Sequence, residues 1–102
     1  MGQPHEQRER APEDGQRLDR WLWFARLVKT RTSATQLVAE GKVRVNRVRV
    51  LKPSHPVRPG DVLTLVLRGQ IHVVRIVECG HRRGPPLEAK MLYEGLGGDP
   101  KP

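Results

Sequence analysis

The sequence predicts an α+β domain: two short helices packed on a small β-sheet, with a short C-terminal helix after it. Three observations predict this. Apolar residues recur at helical spacing over 18–38, they alternate with polar residues over 42–50, and Pro and Gly punctuate the later apolar runs. A length of 102 residues suits one small core. Two independent cores would be hard to stabilise at this size.

Residues 1–16 have almost no apolar content and are expected to form a disordered arm. From Arg17 the pattern turns helical, with Leu18, Leu22 and Ala25 on one stripe and Trp21, Phe24 and Val28 flanking it. Trp21 is therefore core. Trp23 lies off the stripe between Arg20 and Arg26, to pack beneath the C-terminal helix or to stack on an unpaired base. Thr30 and Ser33 both have the chemistry and spacing to cap a second helix carrying Ala34, Leu37 and Val38, and Gly41 suits the residue after its end.

Val43, Val45, Val48 and Val50 then alternate with polar residues around Asn46-Arg47, which reads as a tight hairpin. Its apolar side chains share one face, and Lys42, Arg44 and Arg49 share the other. A two-residue turn asks for positive φ at both central residues, usually Asn-Gly, so Arg47 implies a longer or a strained loop. Pro53, Pro56, Pro59 and Gly60 force a loop in which Gly60-Asp61 turns into a strand. Residues 62–67 and 71–77 are two further strands joined by Arg68-Gly69-Gln70, and 80–86 is a loop. Residues 87–93 form a short helix with Pro86 near its first turn, and 95–102 a flexible tail. The folded domain is expected over 17–94.

The charge is concentrated. The chain holds 19 Lys+Arg against 11 Asp+Glu, for a net charge of +8. Eleven of the bases lie in 17–60 against only Asp19 and Glu40, while the other 58 residues hold eight bases and nine acids. Such asymmetry marks a face for a polyanion. The five bases of 42–52 face no acid in that stretch, and phosphates relieve their repulsion with release of counterions.

Other chemistries lack their residues. Cys79 is the single cysteine, which excludes an internal disulfide, and Cys79 with His81 lacks the further Cys of a zinc site. His5, His55 and His72 are scattered. No Gly-rich phosphate loop or nucleophile–base pair stands out, so a binder without cofactor or small-molecule substrate is expected rather than an enzyme. No apolar run suits a secretory signal or a membrane span, so a cytoplasmic location is expected.

Arg17-Leu18-Asp19, Lys29-Thr30-Arg31, Ala34, Leu37-Val38, then Glu40-Gly41-Lys42-Val43-Arg44-Val45-Asn46 and Arg58-Pro59-Gly60-Asp61 together resemble the S4-type RNA-binding domain, or αL motif, over about 17–67. Within that family, RLDRWLWFARLVKTR, Arg82-Arg83, Leu87-Glu88-Ala89 and Leu92-Tyr93-Glu94 are similar to a small ribosome-associated heat-shock branch. The resemblance implies binding to ribosomal RNA. It further implies association with large ribosomal subunits that carry a nascent chain on tRNA, with recycling of those subunits as the task and peptidyl-tRNA as a further partner; the chain itself is expected to be a monomer. One departure is Arg47, where the family usually has Gly.

By the resemblance, Arg17, Lys29, Thr30, Arg31, Lys42, Val43 and Asn46 line the RNA surface. The charge pattern adds Arg20, Arg26, Arg44, Arg47, Arg49 and Lys52. Backbone N–H groups at the second helix's start can receive a phosphate. Asn46 is either a turn residue or a reader of a base edge or 2′-OH. Asp19 is expected to orient a neighbouring arginine or the first helical turn. Arg82-Arg83 adds a second phosphate contact or sits in a solvated loop. A DNA-binding regulator using the helices as a helix-turn-helix is the alternative, but residues 32–40 carry no Arg or Lys and leave Gln36 as the base-edge donor.

Overall fold

Two N-terminal helices, α1 (Leu18–Phe24) and α2 (Arg31–Ala39), end on the same hydrogen-bond motif. The structure is a computed structural model that describes residues 15–98. The arm expected over 1–14 and the tail residues 99–102 lie outside the described residues. At the end of α2, Gly41 (φ 78°) and Lys42 donate backward to the Val38 and Leu37 carbonyls at 2.9 and 3.2 Å. At the end of α1, Arg26 (φ 60°) and Leu27 donate to Trp23 and Leu22, both at 3.1 Å. This left-handed cap favours glycine. Gly41 meets that preference; Arg26 holds the same conformation with a Cβ.

Thr30 is the N-cap of α2, its Oγ1 accepting from the Ser33 N–H at 2.9 Å, which settles the choice between the two candidate caps. Leu18, Trp21, Leu22, Phe24, Ala34 and Val38 from the helices pack on Val43, Val45, Leu63, Leu65, Val74 and Ile76. Trp21 is fully buried, as its stripe position predicts. Its indole N–H donates to the Glu78 carbonyl at 2.9 Å, and its ring meets Tyr93 edge-on with centroids 6.3 Å apart.

The remaining elements are β1 (Gln16–Arg17), β2 (Val43–Val45), β3 (Val48–Arg49), β4 (Pro56–Val57), β5 (Val62–Leu67), β6 (Gln70–Ile76), α3 (Pro86–Lys90) and β7 (Tyr93–Gly98). An antiparallel sheet has the order β3-β2-β5-β6-β7, and β1 pairs separately with β4. This is the expected α+β class. Val45, Leu63 and Val74 align in one row on the helix-facing side, whereas Arg44, Thr64 and Val73 align on the other.

The hairpin β2–β3 closes with two residues, Asn46 (φ 51°) and Arg47 (φ 77°), so the strained option holds rather than a longer loop. Val48 sits on the apolar side but is 66% exposed, because β3 is a two-residue edge strand. The β5–β6 turn is Arg68-Gly69, with the same φ pair of 51° and 77°; Gln70 already belongs to β6.

Three boundaries need correction. The C-terminal helix is shorter than expected, at Pro86–Lys90. The tail expected from 95 onward begins instead as part of β7, which pairs with β6 from Ile76↔Tyr93 to His72↔Gly98 across a register shift at Val73/Val74. Glycines disfavour strands, but the free backbone groups of β6 recruit a ladder that needs no side chain. Gln16, assigned to the arm, pairs with Val57, and its amide brackets Gly80 by donating to its carbonyl at 2.7 Å and accepting from its N–H at 3.0 Å. Among the described residues, no helix is long and apolar enough to cross a membrane.

Candidate nucleic-acid interface

The interface is organised around one buried carboxylate. Asp19 is 1% exposed at the start of α1. Arg17 donates to it twice, Nε to Oδ1 at 3.0 Å and Nη2 to Oδ2 at 2.9 Å, and the Thr35 hydroxyl donates to Oδ2 at 3.2 Å. Burial pushes the Asp19 pKa up. The hydrogen bond and charge of Arg17, with the Thr35 hydroxyl and the Arg20 backbone N–H, outweigh it and hold the carboxyl below the usual range. Asp19 thus orients Arg17, as its position suggests, and ties α1 to α2.

The same contacts gather other bases. Thr35 Oγ1 also lies 3.1 Å from the Arg31 carbonyl, and Arg31 Nε is buried without a hydrogen-bond partner among the described residues. Leu18 and Asp19 donate their backbone N–H groups to the His55 and Pro53 carbonyls at 2.9 and 3.1 Å, which draws the loop bearing Lys52 to the start of α1. Arg20, the next residue of the same turn, is exposed.

In the hairpin, Arg44 and Arg49 stand directly opposite each other on the face turned from the core. Like charges at that position repel. The Arg49 stem lies over Gly41, where an added Cβ would come within 3.4 Å of Arg49 Cδ and 3.3 Å of Leu51 Cδ2. Lys42 reaches Glu40 at 3.3 Å, a half-exposed pair of little energetic weight. Arg47 is exposed at the tip.

Three expected contact residues have other placements. Val43 is 0% exposed, so its side chain belongs to the core and only its backbone borders the surface. Asn46 braces the hairpin: Nδ2 donates to Asp61 Oδ1 at 3.1 Å, and Oδ1 accepts from the Val62 N–H at 2.9 Å. Asp61 Oδ2 accepts from the Arg58 N–H at 3.0 Å, consistent with a turn into β5. Thr30 is committed to its cap.

Arg26 and Lys29 are directed elsewhere, into an open cleft of about 370 Å³ that they line with Arg68, Arg83 and Lys90. Arg26 Nε donates to the Gly84 carbonyl at 2.7 Å. The adjacent pair Arg82-Arg83 separates: Arg82 is bidentate on Glu88 at 2.7 and 3.2 Å, while Arg83 lies over the half-buried Trp23 ring at 5.5 Å. Trp23 therefore packs under Arg83 and beside Phe24 rather than presenting a free face. Arg68 and Lys90 are not among the bases expected at a binding surface, being remote in sequence from the basic segment.

A helix pair capped onto a basic hairpin, with an ion-paired hub between them, defines a small anion-binding α+β module. The S4 domain family model matches residues 16–63. The chain is 41% identical over 78 residues to heat shock protein 15 of Escherichia coli, covering 76% of this chain and 58% of that protein. The solved trimeric structure of Vibrio cholerae heat shock protein 15 superposes with a TM-score of 0.76 at 38% identity, over 80% of this chain and 82% of that one. The small ribosomal subunit protein uS4 of Dictyoglomus turgidum is 32% identical over 82 residues, 80% of this chain and 40% of that protein. The chain belongs to the heat shock protein 15 family of S4-domain proteins. It spans a little over half the length of the curated relatives of that name that it matches.

Proposed function

We propose that the chain binds structured ribosomal RNA through the start of α1, the first turn of α2 and the β2–β3 hairpin. The observation that carries this reading is the opposed pair Arg44 and Arg49. Each is repelled by the other, and a phosphate between them turns that repulsion into two charge-assisted contacts. The half-buried Arg31 places a further guanidinium on the first turn of α2. The names of the similar proteins, heat shock protein 15 and uS4, support a ribosomal setting.

The finer assignment is association of a single chain with the large subunit, in recycling of subunits that hold a nascent chain on tRNA. Arg17, Arg20, Arg31, Lys42, Arg44, Arg47, Arg49 and Lys52 make the contacts, and Asn46 and Thr30 hold the backbone that presents them. Sedimentation of a lysate through a sucrose gradient tests the assignment. Co-migration with free large subunits, abolished in high salt, is expected. A protein that stays at the top of the gradient at low salt contradicts it. Light scattering of the purified chain tests the single-chain stoichiometry against a trimer such as the Vibrio cholerae relative forms.

A further inference from the structure

The basic cleft is built from parts of the fold unrelated to the hairpin surface. Arg26 comes from the end of α1, Lys29 from the α1–α2 loop, Arg68 from the β5–β6 turn, Arg83 from the loop before α3, and Lys90 from the last turn of α3. Among the described residues that line it, none is Asp or Glu. The acid of α3, Glu88, is engaged by Arg82.

Two independent features say that these cations are placed rather than scattered. Among the described residues, four non-glycine residues have left-handed φ, and three of them are arginines: Arg26, Arg47 and Arg68. Glycine fits such positions without strain, and an L side chain does not. Arg26 and Arg68 both line the cleft, so two strained backbone positions point charge into one space. Strain of this kind is retained where the side chain has a task.

The second feature is Arg83. Its guanidinium is held on two sides, by the Trp23 ring at 5.5 Å and by a long Nη2 contact to the Val28 carbonyl at 3.5 Å. Nη1 is buried and has no hydrogen-bond partner among the described residues. Burial, then the neighbouring charge of Arg26, lower the Arg83 pKa, which an anion in the cleft would reverse. Arg26, held through Nε by the Gly84 carbonyl, keeps both Nη groups for a ligand.

We propose that this cleft is a second phosphate-binding site, so that the domain grips two separate backbone segments of one folded RNA. The inference rests on the RNA-binding reading and goes beyond it by assigning a second site on the C-terminal side. The Arg26 Nη groups donate to one phosphodiester, the Arg83 guanidinium backs it with charge, and Arg68, Lys29 and Lys90 supply the surrounding charge. Lys29 lies two residues before Arg31 and joins the two surfaces.

The test uses the full chain, a synthetic RNA stem-loop and inorganic phosphate. Arg68→Asn creates an Asn-Gly turn, which suits the observed backbone, so the charge is removed without threatening the fold. Combined with Lys90→Ala, it is expected to lower the slope of log K against log salt by up to about 0.9, the share of the one phosphate held in the cleft. Phosphate is expected to shift the Arg83 Nε–H resonance in the wild type and to shift it less in the variant. An unchanged slope together with no phosphate shift at Arg83 overturns the cleft, while a lowered slope in Arg44→Ala with Arg49→Ala leaves the hairpin reading standing. A wild type that binds the stem-loop without salt dependence overturns the RNA reading itself, and the polynucleotide occupant with it.

Discussion

The two basic surfaces are made by opposite strategies. On the hairpin surface the cations face solvent, and Arg44 repels Arg49 across one antiparallel pair. The cleft is concave, with Arg26 and Arg83 held by a carbonyl and an indole. Each hairpin of the sheet delivers an arginine from a turn of identical φ angles, Arg47 to the first surface and Arg68 to the second. Each surface also holds one buried guanidinium nitrogen, on Arg31 or Arg83, with no partner among the described residues. The difference teaches that sequence proximity groups charges by segment, whereas the turns and caps of the fold sort them by destination.

Trp21 is common to both surfaces, because it anchors α1 in the core and reaches Glu78 beside the C-terminal segment. Trp21→Ala removes a fully buried ring. It should destabilise the protein by about 3–5 kcal/mol and abolish the distinction between the surfaces by unfolding both, as read by denaturant titration.

Asp19→Ala separates them. Removing a buried carboxylate that accepts from Arg17 and Thr35 should cost about 2 kcal/mol. Although it raises the net charge by one, it should weaken RNA binding, because Arg17 and α2 no longer share an anchor. Tighter binding would show that total charge, rather than placement, sets affinity. The pH dependence carries the same signature. The folded-state pKa of Asp19 lies below the unfolded value of about 3.9, so its stabilisation is full above that pH and is lost as pH falls through the folded value. Acid unfolding monitored by tryptophan fluorescence should be flatter in this region for Asp19→Asn.

Arg47→Gly is the smallest perturbation. It removes an L side chain from φ 77° and should stabilise the fold by up to about 1 kcal/mol. The salt slope should fall by about 0.7–0.9 or less, since one peripheral cation is removed. A destabilised protein would mean that the Arg47 side chain supports the turn rather than being tolerated there.

Much of the first surface was legible in the sequence, because periodicity marks α1 and β2 and because the bases alternate with valines. Gly41 and Thr30 were legible for the same reason: their cap chemistry is local. The buried state of Asp19 was not, since it depends on Thr35 from another helix. Nor was β7, whose pairing is carried by backbone groups, or the cleft, whose five cations come from four separated places in the chain. The destination of Arg26 depends on a positive φ at a helix end, which no periodicity records.

The most direct measurement is the salt dependence of stem-loop binding by the wild type, by Arg44→Ala with Arg49→Ala, and by Arg75→Ala. Arg75 is a half-exposed cation already paired with Glu94 at 3.0 Å on the other half of the sheet. The slope should fall by about 0.7–0.9 for the hairpin double variant, one phosphate being shared by the two arginines, and stay at the wild-type value for Arg75→Ala. Equal slopes for all three proteins, or an equal fall in both variants, would contradict binding at the hairpin surface.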